Sequence, residues 1–336
     1  MSAEHRPNVG GMRAAVLHSI GGSFTIEDRP EPEGPDVIEV TACGVCHSDL
    51  HVVDGVYPSP LPLVLGHEVT GVHHELGPVM VYAPWGCRRC AMCADGLEML
   101  CPDGKEIGLF QDGGYTERFA VSDRRYLHPL GSLDPVQCAP LACGGLTAFR
   151  AVAHCLDALR ARSTSRVLVI GAGGLGQFAV QYLRLLTDAT VVVADLAATK
   201  RALARDLGAH LAVEPDDLEG AAASRHETFD AIIDFVGSDS TLALAVARVR
   251  RQGLVVVVGL FGGRTAFGLG AVPHEARLMS SIWGSNDQLG ELLHLAGRET
   301  LRCTVEAVPL GDVNLAHDRL RRGDVEGRFV LVPGLG

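Results

Sequence analysis

The segment RVLVIGAGGLGQFAVQYLRLL at residues 166–186, followed by TVVVAD at 190–195, decides the fold of this 336-residue chain. Residues 167–170 are uniformly apolar, as in a strand that is buried on both faces. A glycine-rich loop follows at once, residues 177–186 have a helical pattern, and a second apolar run at 190–194 ends in Asp195. This order of strand, glycine loop, helix, strand and acid is the dinucleotide-binding fingerprint in the context that makes it specific.

The glycine loop is the predicted site for a pyrophosphate. Its glycines permit a tight turn and a close approach of the backbone, and the phosphates would lie at the helix N-terminus. Asp195 would accept a hydrogen bond from the ribose 2′-hydroxyl and repel a 2′-phosphate, which favours NAD over NADP. Lys200 and Arg201 nearby would still suit a phosphate, so NADP stays open. The predicted cofactor-binding residues here are Gly171, Gly173, Gly174, Leu175, Gly176, Asp195 and Lys200.

Strand and helix patterns alternate beyond this segment. Helices are predicted at 200–207 and 242–250, strands at 229–235 and 254–258, and a last strand at 277–283. Such βαβα order predicts a parallel sheet with helices on both faces. Residues 12–17 and 36–43, by contrast, look like short strands, and strands with turns continue to about His128 without a helical period. Helical spacing returns within 134–159 and loosens from about Asn286, and a β-like tail at 327–333 would return to the first domain.

A second informative stretch is CGVCHSDLHVVDGVYPSPLPLVLGHE at residues 43–68. Zinc prefers thiolate and imidazole ligands, and a catalytic zinc keeps one position open for water or substrate. Cys46 and His67 would supply two ligands, and Cys143 is the candidate for the third. Taken singly, Cys46 would be a buried free thiol and His67 a core histidine, but their combination in this stretch favours a metal site.

Four further cysteines follow the pattern C-x2-C-x2-C-x7-C. Their number satisfies tetrahedral zinc completely and leaves no position for chemistry. We therefore predict a structural zinc that stabilises a lobe too small to bury a core of its own. An iron–sulfur cluster is the alternative, although the spacing differs from both ferredoxin patterns. The predicted ligands are Cys87, Cys90, Cys93 and Cys101.

The composition is that of an ordinary globular chain and excludes several classes of protein. Hydrophobic residues make up 47% and charged residues 21%, which is typical of a packed core with a charged surface. The net charge of -11 argues against a nucleic-acid partner, because phosphate binding needs clustered Lys and Arg. No apolar run reaches the ~18 residues of a membrane span, and the polar N-terminus lacks the apolar core of a secretory signal. We expect a cytoplasmic protein whose ten cysteines are thiols and metal ligands.

Together these motifs resemble the zinc-dependent medium-chain alcohol dehydrogenases over nearly the whole chain. CGVCHSD, GHE, CRRCAMC with Cys101, and VIGAGGLG with Asp195 carry the resemblance. It implies an α/β fold with a Rossmann NAD-binding domain, built on a doubly wound parallel sheet, at 147–286. A β-rich GroES-like catalytic domain would comprise 1–146 and 287–336, with the structural-zinc lobe at about 84–104. The implied chemistry is hydride transfer between NAD(H) and a small alcohol, aldehyde or ketone, with two zinc ions per subunit in a homodimer or homotetramer.

The resemblance also implies roles for the residues around the catalytic zinc. Cys46, His67 and Cys143 match the zinc ligands of the family. Glu68 matches a carboxylate that approaches the metal during ligand exchange. Asp49 matches the acid that hydrogen-bonds the zinc-bound histidine and sets its tautomer.

A second group of matches concerns protons and the cofactor. Ser48 and His51 match the proton relay of the family, and His47 and Arg328 match two cationic contacts to the pyrophosphate. Within the family, PWGC and IWGS make the chain most similar to bacterial NAD-dependent secondary-alcohol and benzyl-alcohol dehydrogenases.

One segment departs from the family pattern. Between Glu68 and Trp85, a longer strand–turn–strand is cut to VTGVHHELGPVMVYAP. The deletion puts the local barrel geometry and the cleft near the metal in question, but it removes no ligand. We expect His73 and His74 within it to be structural.

Two other functions stay open. A related enzyme that reduces an activated alkene or imine would keep the same motifs. A protein that uses the four-cysteine lobe and the Rossmann fold only for binding or structure would need no catalytic set. The sequence does not identify the substrate, because aromatic residues that would line an apolar cleft are more often ordinary core; here they are Trp85, Tyr57, Phe110 and Trp283.

Overall fold

The computed structural model describes residues 11–220 and 228–335, so most of the polar N-terminal segment lies outside the described residues. The chain forms two compact units. The first runs to Cys143 and resumes at Leu289–Gly297 and from Thr304 onwards, and the second comprises Gly144–Gln288 and Arg298–Cys303. The units therefore divide at Cys143 and Gln288 rather than at residues 146 and 286. The assignment of catalysis to one unit and of cofactor binding to the other stays a prediction.

The first unit begins with short strands, as the sequence predicts. They are β1 (Gly11–Leu17), β2 (Phe24–Pro30), β3 (Val37–Gly44), β4 (Leu63–Val64), β5 (Glu68–His73), β6 (Gly77–Val81), β7 (Pro84–Trp85), β8 (Lys105–Glu106), β9 (Arg118–Ala120) and β10 (Leu127–Pro129). Short helices lie among them: α1 (His47–Val53), α2 (Ala91–Ala94) and α3 (Pro135–Cys138). The prediction of no helix before His128 is wrong at α1 and α2, because one or two turns are too short to show an apolar period.

The second unit alternates helices and strands. It contains α4 (Gly144–Arg160), β11 (Arg166–Ile170), α5 (Gly176–Leu186), β12 (Thr190–Ala194), α6 (Ala198–Asp206), β13 (Leu211–Val213), α7 (Pro215–Gly220), β14 (Phe229–Asp234), α8 (Asp239–Arg248), β15 (Val249–Val257) and β16 (Arg277–Ser280). The strands pair in parallel in the order β13-β12-β11-β14-β15-β16. This order matches the doubly wound dinucleotide-binding sheet, whose ligand lies at the carboxyl ends of the strands where the order reverses.

Two predicted elements of this unit have shifted ends. Helix α8 ends at Arg248 rather than at residue 250 and begins before residue 242, because Ser238 caps it by accepting the Thr241 N–H. Strand β16 ends at Ser280 rather than at residue 283. Trp283 has a left-handed φ of 51°, which a strand does not accommodate.

The last part of the chain contributes α9 (Asn286–Arg298), β17 (Val305–Pro309), α10 (Val313–Arg322) and β18 (Arg328–Val332). Strand β18 pairs in parallel with β17 and antiparallel with β3, so the predicted returning tail joins a seven-stranded sheet of the first unit. That sheet has the order β10-β6-β5-β3-β18-β17, with β9 beside β3. The loosened pattern after residue 286 nevertheless includes two regular helices, and Leu289, Leu292 and Leu293 lie buried at helical spacing in α9.

Among the described helices, none is by itself long and apolar enough to cross a membrane, although the bent pair Pro135–Ala142 and Gly144–Arg160 passes that test on length and composition alone.

Candidate metal centres and cofactor loop

The first candidate site lies where separate segments of the first unit meet. Cys46 immediately precedes α1, His67 and Glu68 lie at the start of β5, and Cys143 follows the short 3-10 helix Ala139–Ala142. One ligand atom from each of the four residues lies within 4.8 Å of the others, and all four residues are buried. Two thiols, an imidazole and a carboxylate form a donor set that suits zinc.

Asp49 holds the imidazole of His67 in one orientation. Its Oδ1 lies 3.2 Å from His67 Nδ1, and its Oδ2 accepts hydrogen bonds from the Cys46 N–H and the Tyr115 hydroxyl, each at 2.8 Å. Because Nδ1 faces Asp49, Nε2 is the nitrogen left for a metal ion. Asp49 is completely buried, so water screens its charge only weakly.

The thiols and the imidazole of this cluster have pKa values that are shifted from their ordinary values. The hydrogen bond between the two thiols lowers the pKa of Cys46 well below its ordinary value and raises that of Cys143 well above it. Burial acts to lower the pKa of His67, but the charge of Asp49 and hydrogen bonds to Asp49 and Cys46 raise it well above its ordinary value. A divalent cation would therefore displace protons from Cys143 and His67 when it binds.

Glu68 is paired with Arg328 in the interior of the unit. Arg328 Nη2 lies 2.5 Å from Glu68 Oε1 and donates to the Val45 carbonyl oxygen at 3.2 Å. Burial raises the pKa of Glu68 to about 7, against the opposing effect of the Arg328 charge. The pairing of β18 with β3 carries the start of β18 to the metal cluster, and the pyrophosphate contact predicted for Arg328 stays a prediction.

Helix α1 carries the residues predicted for proton transfer. Ser48 Oγ lies 3.7 Å from Cys46 Sγ. One helical turn later, His51 packs edge-on against Tyr57, with ring centroids 5.7 Å apart, and is only half-buried. His47, in the first turn, is exposed. The path from Ser48 to His51 thus leads from the buried thiols towards the surface.

The four aromatic residues considered for a substrate cleft lie in different surroundings. Tyr57 and Phe110 are neighbours, with ring centroids 6.2 Å apart. Trp85 instead stacks on Tyr126 at 5.8 Å with an interplanar angle of 7°, so it belongs to the packing beside the four-cysteine lobe. Trp283 is buried within the second unit. Tyr57 thus lies beside His51 of α1, and Phe110 lies beside Tyr57.

The second candidate site is the four-cysteine lobe. Strands β7 and β8 pair at its base and close the segment between them into a loop. Tetrahedral ligands at about 2.3 Å from zinc lie about 3.8 Å apart, and the sulfurs here lie within 4.8 Å of one another, as a single ion requires; they belong to Cys87, Cys90, Cys93 and Cys101. A multi-iron cluster holds its cysteines farther apart, which disfavours the iron–sulfur alternative. Several hydrogen bonds lower the pKa of Cys87 to about 6, and the one from the Arg89 N–H has the largest effect.

The shortened segment forms a tight hairpin between β5 and β6. His73 is buried at its end, where its Nδ1 accepts the N–H groups of Glu75 and Leu76 at 3.2 and 3.3 Å. Its Nε2 lies 3.4 Å from Asp36 Oδ1, and His74 is exposed. The contacts of His73 are those of a residue that stabilises the turn, as expected.

The glycine loop of the second unit joins β11 to α5. Gly171 has a φ of 87°, and a Cβ on Gly176 would lie 1.9 Å from the Gly171 carbonyl oxygen, so both positions favour glycine. Lys200 lies beside the loop, with its Nζ 3.8 Å from where a Cβ on Gly173 would be. The open N-terminus of α5 suits an anion. The turn itself consists of Ala172, Gly173, Gly174 and Leu175.

Asp195 follows β12 and contacts the same loop. Its Oδ2 accepts the Ala172 N–H and its Oδ1 accepts the Ala197 N–H, both at 2.8 Å. Arg201 is held in place, since its guanidinium donates to the Asp195 carbonyl oxygen at 2.9 Å and to Glu214 at 2.8 Å. Arg201 is therefore engaged by the protein itself, and the phosphate contact left open for it is not favoured.

Two further buried residues, Tyr115 and His317, extend the hydrogen bonds of Asp49 and were not predicted from the sequence. Tyr115 donates to Asp49, and its hydroxyl also lies 3.3 Å from His317 Nε2. Neither residue belongs to a metal-binding or nucleotide-binding motif. Both are far from Asp49 in sequence, so no local spacing identifies them.

Comparison with known proteins identifies similar chains for both units. A family model described as alcohol dehydrogenase GroES-like domain matches residues 33–132, and one described as zinc-binding dehydrogenase matches residues 174–298. The chain is 33% identical over 352 residues to an NAD-dependent alcohol dehydrogenase of Sulfolobus acidocaldarius, covering 95% of this chain and 99% of that one. It is 32% identical over 340 residues to D-arabinose 1-dehydrogenase (NADP(+)) of Saccharolobus solfataricus, covering 96% and 97%. The crystal structure of the alcohol dehydrogenase of Aeropyrum pernix matches with a TM-score of 0.86 at 32% identity, covering 96% of this chain and 100% of that one.

Proposed function

The chain belongs to the zinc-dependent medium-chain alcohol dehydrogenase family, and from this premise we propose which of its residues perform the reaction. It is an NAD-dependent enzyme that interconverts an alcohol and an aldehyde or ketone. We assign its catalytic zinc to Cys46, His67 and Cys143. The observation that carries this assignment is the convergence of these distant, buried donors within 4.8 Å of one another. A second, structural zinc is assigned to the four-cysteine lobe.

When bound, zinc supplies a Lewis acid for the substrate oxygen, and NAD supplies the hydride acceptor or donor. The side chains of the protein hold and orient these groups. Three ligands leave one position of a tetrahedral site for the substrate oxygen. Asp49 keeps the Nε2 lone pair of His67 turned towards the site. Arg328 lies beside Glu68 and offsets the charge of that carboxylate next to the proposed ligands.

Ser48 and His51 are proposed to conduct the proton that the alcohol loses. Ser48 lies beside the ligand Cys46 and would hydrogen-bond the substrate hydroxyl. His51 is half-buried one turn further along α1 and would exchange the proton with water. Such positioned groups allow proton transfer while the metal site stays shielded from bulk solvent.

The cofactor assignment depends on the glycine loop and on Asp195. The pyrophosphate would occupy the N-terminus of α5, with Lys200 and the exposed His47 as cationic contacts. Asp195 would accept from the ribose hydroxyls, and its negative charge disfavours a 2′-phosphate. The engagement of Arg201 by Glu214 supports NAD, because it withdraws the neighbouring guanidinium from a phosphate role.

A small alcohol, aldehyde or ketone is the proposed substrate, with Tyr57 and Phe110 as candidate contacts to its carbon chain. The relatives are named as alcohol dehydrogenases and as a D-arabinose 1-dehydrogenase, so alcohols and aldoses both belong in a substrate panel. Reduction of an activated alkene or imine is not favoured, because the relatives are named as alcohol dehydrogenases.

We also propose that the chain is a homodimer or homotetramer in the cytoplasm. Strand β16 is the last strand of its sheet order, and large apolar side chains are exposed in the segment before it: Leu260, Phe261, Phe267 and Leu269. Exposed apolar groups of this kind suit a protein interface. None of the ten cysteines, all of which lie in the described residues, forms a disulfide, which suits a reducing compartment. Light scattering on a Leu269→Asp variant would show a smaller mass than the native protein, whereas an unchanged mass would exclude this segment from the interface.

Metal analysis combined with turnover tests the proposed function. The purified chain should hold two zinc ions and oxidise members of an alcohol panel with NAD, followed by NADH absorbance. Cys46→Ala should hold one zinc and show no turnover. Cys138→Ala is a matched control, because Cys138 is a buried thiol near Cys143 in sequence but outside both clusters. Full turnover by Cys46→Ala would refute the assignment.

A further inference from the structure

A continuous series of polar groups runs from helix α10 to the proposed zinc ligand His67. His317 Nε2 lies 3.3 Å from the Tyr115 hydroxyl, which lies 2.8 Å from Asp49 Oδ2. Asp49 Oδ1 in turn lies 3.2 Å from His67 Nδ1. All four residues belong to the first unit, and each of these side chains is more than nine-tenths buried.

The direction of each hydrogen bond follows from the groups available. The Tyr115 hydroxyl has one proton and donates it to the Asp49 carboxylate. Its oxygen can then only accept from His317, so Nε2 of His317 carries the proton. His317 Nδ1 is buried and has no hydrogen-bond partner among the described residues, which fits an unprotonated nitrogen. Burial lowers the pKa of His317, so the ring is neutral and has this single tautomer.

Side chains of helix α10 form hydrogen bonds with other segments one turn before and one turn after His317, and these contacts hold His317 in place. One turn earlier, the Asn314 side chain accepts the Phe24 N–H at 2.9 Å and donates to the Phe24 carbonyl oxygen at 3.0 Å. One turn later, Arg321 forms two hydrogen bonds with Asp54, at 2.8 and 2.9 Å. Asp54 is the C-cap of α1, the helix that carries Asp49.

We propose that Tyr115 and His317 are positioning residues that hold the Asp49 carboxylate, and through it His67, in the orientation that the catalytic zinc requires. The inference depends on the proposed zinc site. Without the Tyr115 hydroxyl, Asp49 Oδ2 keeps only the Cys46 N–H as a donor, and the carboxylate is free to turn away from His67 Nδ1. A histidine ligand that loses its oriented carboxylate becomes a weaker ligand.

The test compares Tyr115→Phe with Tyr182→Phe in the zinc-loaded enzyme. Tyr182 is an equally buried tyrosine of the second unit whose hydroxyl has no partner among the described residues, so its loss should leave zinc affinity unchanged. We expect Tyr115→Phe to lose one zinc to a chelator about 10-fold faster than the native protein, while the zinc of the four-cysteine lobe is released at the native rate. With cobalt at the catalytic site, its visible spectrum should also change in Tyr115→Phe alone.

A pair of variants at the outer end separates hydrogen bonding from packing. His317→Phe should accelerate zinc loss in the same direction as Tyr115→Phe. His317→Gln should restore the native rate at least in part, because its amide N–H can donate to the Tyr115 oxygen. The affinity for NADH should be unchanged in every variant, since the glycine loop and Asp195 belong to the second unit.

The possible outcomes distinguish this inference from the proposed function. If the native chain holds zinc only in the four-cysteine lobe, the proposed function fails and the inference fails with it. If the native chain holds both ions and Tyr115→Phe behaves like Tyr182→Phe, the positioning role alone is refuted. Simultaneous loss of both ions in Tyr115→Phe would indicate general unfolding and would also overturn it.

Discussion

Replacing Arg328 by methionine would remove the cation beside Glu68 while keeping a side chain of similar length. Glu68 is 0% exposed and Arg328 is 5% exposed, so neither charge has water to compensate it. Removing one partner of such a buried pair costs about 3–5 kcal/mol, because the remaining charge must take up a proton or stay uncompensated. The expected decrease in melting temperature is roughly 4–7 °C, from an unfolding entropy of about 2.1 cal/mol/K per residue.

The loss of stability caused by Arg328→Met should be larger at high pH than at low pH. Burial raises the pKa of Glu68 to about 7 from an ordinary 4.5, and Arg328 opposes that rise. The stability linked to this raised pKa is fully present below 4.5 and is lost as the pH rises through the folded-state pKa. Without Arg328 the pKa rises further. The two proteins should therefore differ more at about pH 8, where native Glu68 is ionised and paired, than at about pH 5.5, where it is protonated.

The assay is thermal and denaturant unfolding of the metal-free native protein, Arg328→Met, Glu68→Gln and the double variant. In the Glu68→Gln background no buried carboxylate is left without a partner, so Arg328→Met should lower the free energy of unfolding by less. The difference between the two decreases is the coupling energy of Arg328 and Glu68. Arg118→Met is a control that breaks an exposed pair with Glu31, which is expected to cost about 1 kcal/mol or less. An unchanged melting temperature combined with about 10-fold weaker NADH binding would refute this reasoning and assign Arg328 to the pyrophosphate.

Other predictions concern the metal and the cofactor. His67→Ala should abolish turnover but leave NADH binding measurable by fluorescence; native-like rates in the presence of a chelator would exclude the metal mechanism. The affinity of the catalytic site for zinc should rise with pH, about tenfold per unit for each proton displaced from Cys143 and His67, and a flat profile in chelator competition would contradict their raised pKa values. Asp195→Asn should raise kcat/KM with NADP relative to NAD about 10-fold or more, since a repulsive charge is lost; an unchanged ratio would remove Asp195 from the ribose role. Cys93→Ala should reduce the zinc content from two to one and lower the melting temperature, and a retained second zinc would refute the four-thiolate site.

The local sequence pattern was sufficient to predict most strands and helices of the second unit. Parallel strands that are covered on both faces are mostly apolar, so β11 and β12 are visible as short apolar runs. The glycine loop and Asp195 occur in a fixed order along the chain, and the structure has them in contact, with Asp195 accepting the Ala172 N–H.

The same reasoning failed at α1, where a buried charge adds to the shortness of the helix. This seven-residue helix buries Asp49 together with Leu50, Val52 and Val53, so a charged residue occupies a position on its inner face. A buried carboxylate interrupts the apolar period that marks a helix. Asp49 lies inside because it contacts His67, which means that the functional site itself hid the helix from sequence analysis.

The sequence by itself determined the chemical groups: which thiols and imidazoles are present, the four-cysteine spacing, and the glycine loop with its acid. These features are set by neighbours within a few dozen residues, where spacing along the chain limits separation in space. The tertiary structure alone decided that Arg328 pairs with Glu68, that Trp85 packs on Tyr126, and that Tyr115 and His317 stand behind Asp49. The Arg328–Glu68 pair depends on how β18 pairs with β3, and the contacts of His317 depend on how α10 packs near α1. Residues that are far apart along the chain meet only through such packing.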